Sequence, residues 1–176
     1  MACALAVAAL GCKKSNVDLG PLPEAKPAIV RAHDCQLRVT LTPEKTTFAI
    51  DEPVWMTFRA TPECDAKLTL LSVGDIESKF GRSEGYRVSA RATSGNHSVE
   101  EPQGGEVMGG GVGRLAFTRT EPFQARLRIS HYLLITHAGR YELTVRKSLV
   151  VGKKGDADSE QSVVVDVSIF VDVTAS

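Results

Sequence analysis

Apolar residues recur at every second position across most of this chain, and that spacing constrains its fold more than any other feature. Leu37, Val39 and Leu41 alternate with Gln36, Arg38 and Thr40, and Val54, Met56, Phe58 and Ala60 with Trp55, Thr57 and Arg59. Leu68 and Leu70 follow, then Tyr86, Val88, Ala90 and Ala92. Leu115 and Phe117 lead to Phe123, Ala125, Leu127 and Ile129; Tyr141, Leu143 and Val145 come next, and Val163, Val165, Val167, Ile169 and Val171 close the chain. Successive side chains of a strand point to opposite faces, so this period describes strands with one buried and one solvated face. No helical stripe competes with it. Turn residues punctuate the strands at Asp51-Glu52-Pro53, Thr61-Pro62, Gly74-Asp75, His137-Ala138-Gly139 and Gly152-Lys153-Lys154-Gly155. The pattern predicts an all-β fold, an antiparallel β-sandwich of seven or eight strands over residues 35–176.

The first residues, MACALAVAALGCKKSN, are different. The apolar run at residues 4–10 is too short to span a bilayer but suits the core of a secretory signal. It ends in Ala9-Leu10-Gly11-Cys12, followed by Lys13 and Lys14. This stretch resembles the lipobox of bacterial lipoproteins, although Ala9 stands where that family prefers Leu. The resemblance implies removal of residues 1–11, a lipid on Cys12, and a lipid-anchored protein of the bacterial envelope, exported toward the periplasm. Lys13 after the cysteine, rather than Asp, would suit the outer membrane. Residues 12–34 then read as a linker, with Pro21, Pro23 and Pro27 and no sustained periodicity. If flexible, it would span roughly 25 Å. No later apolar stretch is long enough for a transmembrane helix.

Four cysteines divide simply. Cys3 belongs to the leader and Cys12 to the lipid, which leaves Cys35 and Cys64. An exported chain favours a disulfide between such a pair. A hairpin of the strands at 36–42 and 54–61 would bring the two together, and a closed loop of this length contributes roughly 3–4 kcal/mol in the chain-entropy account.

Gly139-Arg140-Tyr141 opens the penultimate strand after a turn. With Tyr132, Leu134 and the residues between, it resembles the tyrosine corner of immunoglobulin-like domains, where a Tyr hydroxyl bonds back across the corner. Bacterial domains with this stretch occur in lipoproteins and in small proteinase inhibitors. The resemblance implies an immunoglobulin-like sandwich with Gly139 and Tyr141 as structural residues. Leu143 stands where antibody domains carry a cysteine, and Trp55 falls on the second strand rather than the third.

Several motifs point to chemistry and lack its context. Gly81-Arg82-Ser83-Glu84-Gly85 matches the nucleophile elbow of α/β-hydrolases, but a strand follows it where a helix is required. The glycine-rich run at 104–113 lacks the terminal Lys and helix of a phosphate loop. Asp156, Asp158 and Glu160 alternate as in a calcium loop, yet Gln161 and Val167 occupy the Gly and Glu positions. His33, His97, His131 and His137 show no metal-ligand spacing, and Asn96-His97-Ser98 is a glycosylation sequon without a eukaryotic context.

Basic and acidic residues balance at 21 each, so no charge excess suggests nucleic acid as a partner. These observations predict a non-enzymatic binding or structural module, held by its lipid on a membrane and meeting another envelope protein, with no cofactor or metal. A proteinase inhibitor is the alternative, and a hydrolase using Ser83 a distant third. The binding surface is expected in the longest irregular stretches. These are 93–113, with Glu100, Glu101 and Glu106, and 152–161, with Lys153, Lys154, Asp156 and Asp158. Together with 61–66 they would form one end of the sandwich, from which the stalk emerges, so that this end faces the membrane.

Overall fold

Ten strands build two sheets around one core in the computed structural model, which describes residues 19–73, 85–93, 97, 99 and 112–175. The first sheet has the order β1 (Ala28–Ala32), β2 (Cys35–Pro43), β4 (Trp55–Pro62), β8 (Phe123–Arg128), all antiparallel. The second runs β3 (Thr47–Ala49), β10 (Asp156–Thr174), β9 (Gly139–Lys153), β5 (Leu68–Val73), β7 (Val112–Phe117), and β6 (Tyr86–Ala92) also pairs with β9. Sequence alternation becomes burial directly. Leu37, Val39, Met56 and Phe58 face inward from the first sheet, and Leu143, Val145, Val167 and Ile169 from the second. Each such side chain contributes roughly 1.5–3 kcal/mol by leaving water. The rings of Phe58 and Tyr86 meet edge to face across the core, their centres 5.4 Å apart.

The long β9–β10 hairpin organises the second sheet. One edge of β9 is covered by β10 along nearly its whole length. The other carries β5 and β6 end to end. Leu71 sits opposite Val150 and Tyr86 opposite Lys147, so the two short strands run along β9 in the same direction. Where they part, the Lys147 ammonium lies over the Tyr86 ring, 4.1 Å from its centre.

Five expectations need correction. The second sheet is mixed rather than antiparallel, because β3 pairs in parallel with the end of β10, Val173 opposite Phe48. Three residues are too few to show a period. The described residues form ten strands rather than seven or eight. The linker expected over 12–34 ends earlier: Ala28–Ala32 pair with β2, Ala32 opposite Cys35. The stretch 152–161 is not an irregular loop. Lys153 sits opposite Asp156, and only Lys154 and Gly155 form the turn, Gly155 at φ 90°, a conformation that glycine adopts without steric cost.

The fifth correction concerns direction. β1 runs antiparallel to β2 and turns into it at His33-Asp34, His33 adopting φ 55°. The chain therefore enters the fold from the end opposite the β9–β10 turn, not beside it. β1 also lies against β10, closing that side of the two-sheet stack.

Candidate functional site

The two ends of the stack hold the described site residues that the sequence singles out. At the hairpin end, Cys35 and Cys64 form a disulfide with a Cα–Cα distance of 5.6 Å. The β2–β4 register explains it: Leu37 faces Pro62, and the Glu63 amide donates to the Gln36 carbonyl at 2.8 Å. Beside it the His33 amide donates to Gln161 Oε1 at 2.6 Å, and His33 Nε2 lies 3.1 Å from the Val151 carbonyl.

Lys153, Lys154, Asp156 and Asp158 are all exposed on the turn. They do not form a pliable loop. The Lys153 amide donates to Ser159 Oγ at 2.8 Å, Ser159 Oγ donates to the Asp156 carbonyl at 2.9 Å, and the Asp158 amide donates to Asp156 Oδ1 at 3.2 Å. The Asp156 carboxylate is thus turned on its own backbone. The Lys154 amide donates to the Lys67 carbonyl at 3.2 Å, and the nearby Lys67 side chain pulls the Lys154 ammonium below the usual lysine range. Among the described residues no group of three His, Cys, Asp or Glu side chains could hold a metal ion.

The opposite end is built around Arg140, the one buried charged residue among those described, 8% exposed. It faces Asp172 across the β9–β10 ladder. Its Nε and Nη2 donate to the two Asp172 oxygens at 2.8 and 3.1 Å. Its Nη1 donates to the carbonyls of Leu19 and Pro21 at 2.7 and 3.0 Å, and Nη2 to that of Gly20 at 2.7 Å. All five N–H groups of the guanidinium fork are used. The hydrogen bonds to Asp172 raise the arginine pKa further.

Next to it the Tyr141 hydroxyl, on a ring only 1% exposed, donates to the His137 carbonyl at 2.8 Å. Burial pushes its pKa up. Gly139 begins the strand opposite Val173. The His137 ring stacks on His97 at 4.7 Å, and Thr93 Oγ1 donates to the Arg140 carbonyl at 3.1 Å. A 3-10 turn at Ile129–His131 helps to shape a cavity of about 260 Å³, lined by Val54, Ile129, Leu133, Leu134, Ile135 and Val173 among others. Asp51, Arg128, Ser130, His131 and Thr136 also line it, and it is smaller than the usual ligand pocket of about 300–1,000 Å³. Glu52 rims it. Its carboxyl accepts from Lys45 and from the Ala49 amide, which together hold it below the usual carboxylate range.

Cys12, Ser83, Glu100, Glu101 and Glu106 lie outside the described residues. Of the expected loop end, the described residues include 61–66 and the β9–β10 turn. Arg140 escaped the sequence reading, since nothing local distinguishes it from the other outward arginines. These features define a sandwich-like all-β domain with one disulfide, entered from its tyrosine end. No protein-family model matches the chain, and no curated protein is similar to it. No described helix is long and apolar enough to cross a membrane.

Proposed function

We propose that this chain is a non-enzymatic binding module of immunoglobulin-like fold, displayed on the bacterial envelope by a lipid on Cys12. The bond from Tyr141 to the carbonyl four residues upstream carries the fold reading, because that is the bond of a tyrosine corner. Strand order agrees with it. β2, β4 and β8 lie in one sheet as strands A, B and E do, and β9 and β10 in the other as F and G do. The Cys35–Cys64 bond fits an oxidising compartment.

Entry of the chain beside Arg140 gives the orientation. A lipid on Cys12 would hold the tyrosine end toward the membrane and point the rigid Lys153-Lys154 turn away from it. This reverses the geometry expected from the sequence.

Metabolic labelling with a palmitate analogue in a bacterial host tests the anchor. The full chain should be labelled and partition into detergent, and Cys12→Ser should do neither. Labelling that persists in Cys12→Ser defeats the reading. So does turnover of ester or peptide substrates that disappears on Ser83→Ala.

A further inference from the structure

The outer face of the first sheet carries its charge in a file. The register places Arg31 on β1 one strand over and one outward position up from Arg38 on β2. Arg38 stands in the same relation to Arg59 on β4, because Arg59 faces Thr40. Arg59 stands so to Arg126 on β8, which faces Thr57, and Arg128 continues the line opposite Trp55. Each diagonal step is about 8 Å, from strand spacing and the two-residue rise, so the file extends roughly 30 Å. Arg128 is half-buried and the other four are exposed. All five cations are arginines, whose planar forks bind carboxylate in pairs of hydrogen bonds.

The surroundings are mostly polar and uncharged, apart from exposed Ile29 opposite Arg38 and Trp55 opposite Arg128. Gln36, Thr61, Thr40, Gln124, Thr57 and Thr42 flank the file on both sides. Acids occur only at two corners, where Glu63 accepts from Arg38 at 2.6 Å and Glu44 from Arg126 at 2.8 Å. Among the described residues no carboxylate pairs with Arg31, Arg59 or Arg128. The outer face of the second sheet contrasts with this. There Arg146 holds Asp166 through two bonds of 2.7 Å, and Arg91 holds Glu142 at 2.7 Å. This face thus carries three arginines without a carboxylate partner among the described residues, against one, Arg87, on the β6–β9 ladder.

We propose that this face binds a linear acidic polysaccharide, its carboxylates on the arginine file and its hydroxyls on the flanking threonines and glutamines. The naming of the partner rests on the reading of the chain as a binding module, and not on the lipid. A one-dimensional file suits a polymer better than a membrane, which would engage a broad field of charge. Single-stranded nucleic acid needs open aromatic platforms. Trp55 is the only aromatic side chain here, and the Arg126 guanidinium covers it at 4.2 Å.

The test is titration of the full chain with polygalacturonate. Dextran, oligo-dT and phosphatidylglycerol vesicles serve as the other probes. Polygalacturonate should bind and dextran should not, with affinity falling as salt is raised. Exposed ion pairs are each worth about 1.4-fold to fivefold, so Arg31→Gln/Arg59→Gln/Arg128→Gln should weaken binding at least about threefold. Arg59→Lys should fall between wild type and Arg59→Gln, and Arg87→Gln on the other sheet should change nothing. Unchanged unfolding midpoints keep the comparison sound. No binding to polygalacturonate, equal binding by the triple variant, or tighter binding to oligo-dT or vesicles overturns the proposal. Labelling at Cys12 is independent of all of these outcomes.

Discussion

The two ends of this molecule are fastened by different chemistry. At the hairpin end a covalent bond ties β2 to the segment after β4, and the turn beside it is held by its own short hydrogen bonds. At the tyrosine end nothing is covalent. Arg140, Asp172 and three consecutive carbonyls form one network, and Tyr141 adds its bond to His137. A disulfide acts largely on the unfolded chain, whose loop it closes. A buried polar network acts on the folded state, and each member left without its partner costs desolvation. The first end should therefore resist partial opening, and the second should respond to single side-chain changes.

That contrast can be broken at the hairpin end first. Cys35→Ala/Cys64→Ala should lower stability by roughly 3–4 kcal/mol, read from denaturant midpoints at unchanged m-value. A loss under about 1 kcal/mol would mean that the disulfide is no stronger a fastening than the opposite network. Arg140→Ala comes second. It should lower the midpoint less than loss of the disulfide and expose residues 19–21 to proteases, while the β9–β10 turn keeps its protection in hydrogen exchange. Uniform loss of protection at both ends would show that they do not open separately.

Tyr141→Phe isolates one hydroxyl and should cost about 1 kcal/mol, since the ring remains packed and one carbonyl loses its donor. The smallest effect belongs to pH. The Lys154 pKa is lowered in the fold by Lys67, so the unfolded chain binds more protons between the folded and unfolded values. Stability should thus rise as pH climbs through that window below the ordinary lysine pKa. Lys67→Gln should flatten the slope in a pH series of unfolding midpoints.

Much of the architecture was legible because half-buried strands write their period into the sequence. The inward residues of β2, β4, β8, β9 and β10 coincide with the alternating apolar positions. The disulfide was legible too, since hairpin pairing of β2 with β4 leaves only one partner for Cys35. The misses have particular causes. β1 hides among prolines, and β3 has three residues and a parallel partner far along the chain. The Arg140–Asp172 pair is concealed by the register shift between Asp156 and Gln161. Counting back from the turn without that shift sets Arg140 opposite Ile169, three residues from its true neighbour. The arginine file was equally hidden, because no stretch of sequence is rich in arginine. It exists only once four strands stand side by side in register.

The end-to-end seating of β5 and β6 along β9 leaves a natural splice site. Pairing with β9 stops at Leu71, β5 running on to Val73 beside β7, and resumes at Tyr86, and these two positions face β9 residues only three apart, about 10 Å. Both halves are registered independently against β9. Foreign peptide inserted between them would lengthen a segment whose endpoints are already fixed by the ladder, and loop length itself adds little free energy. The scaffold is thereby suited to carry grafted epitopes or recognition tags there.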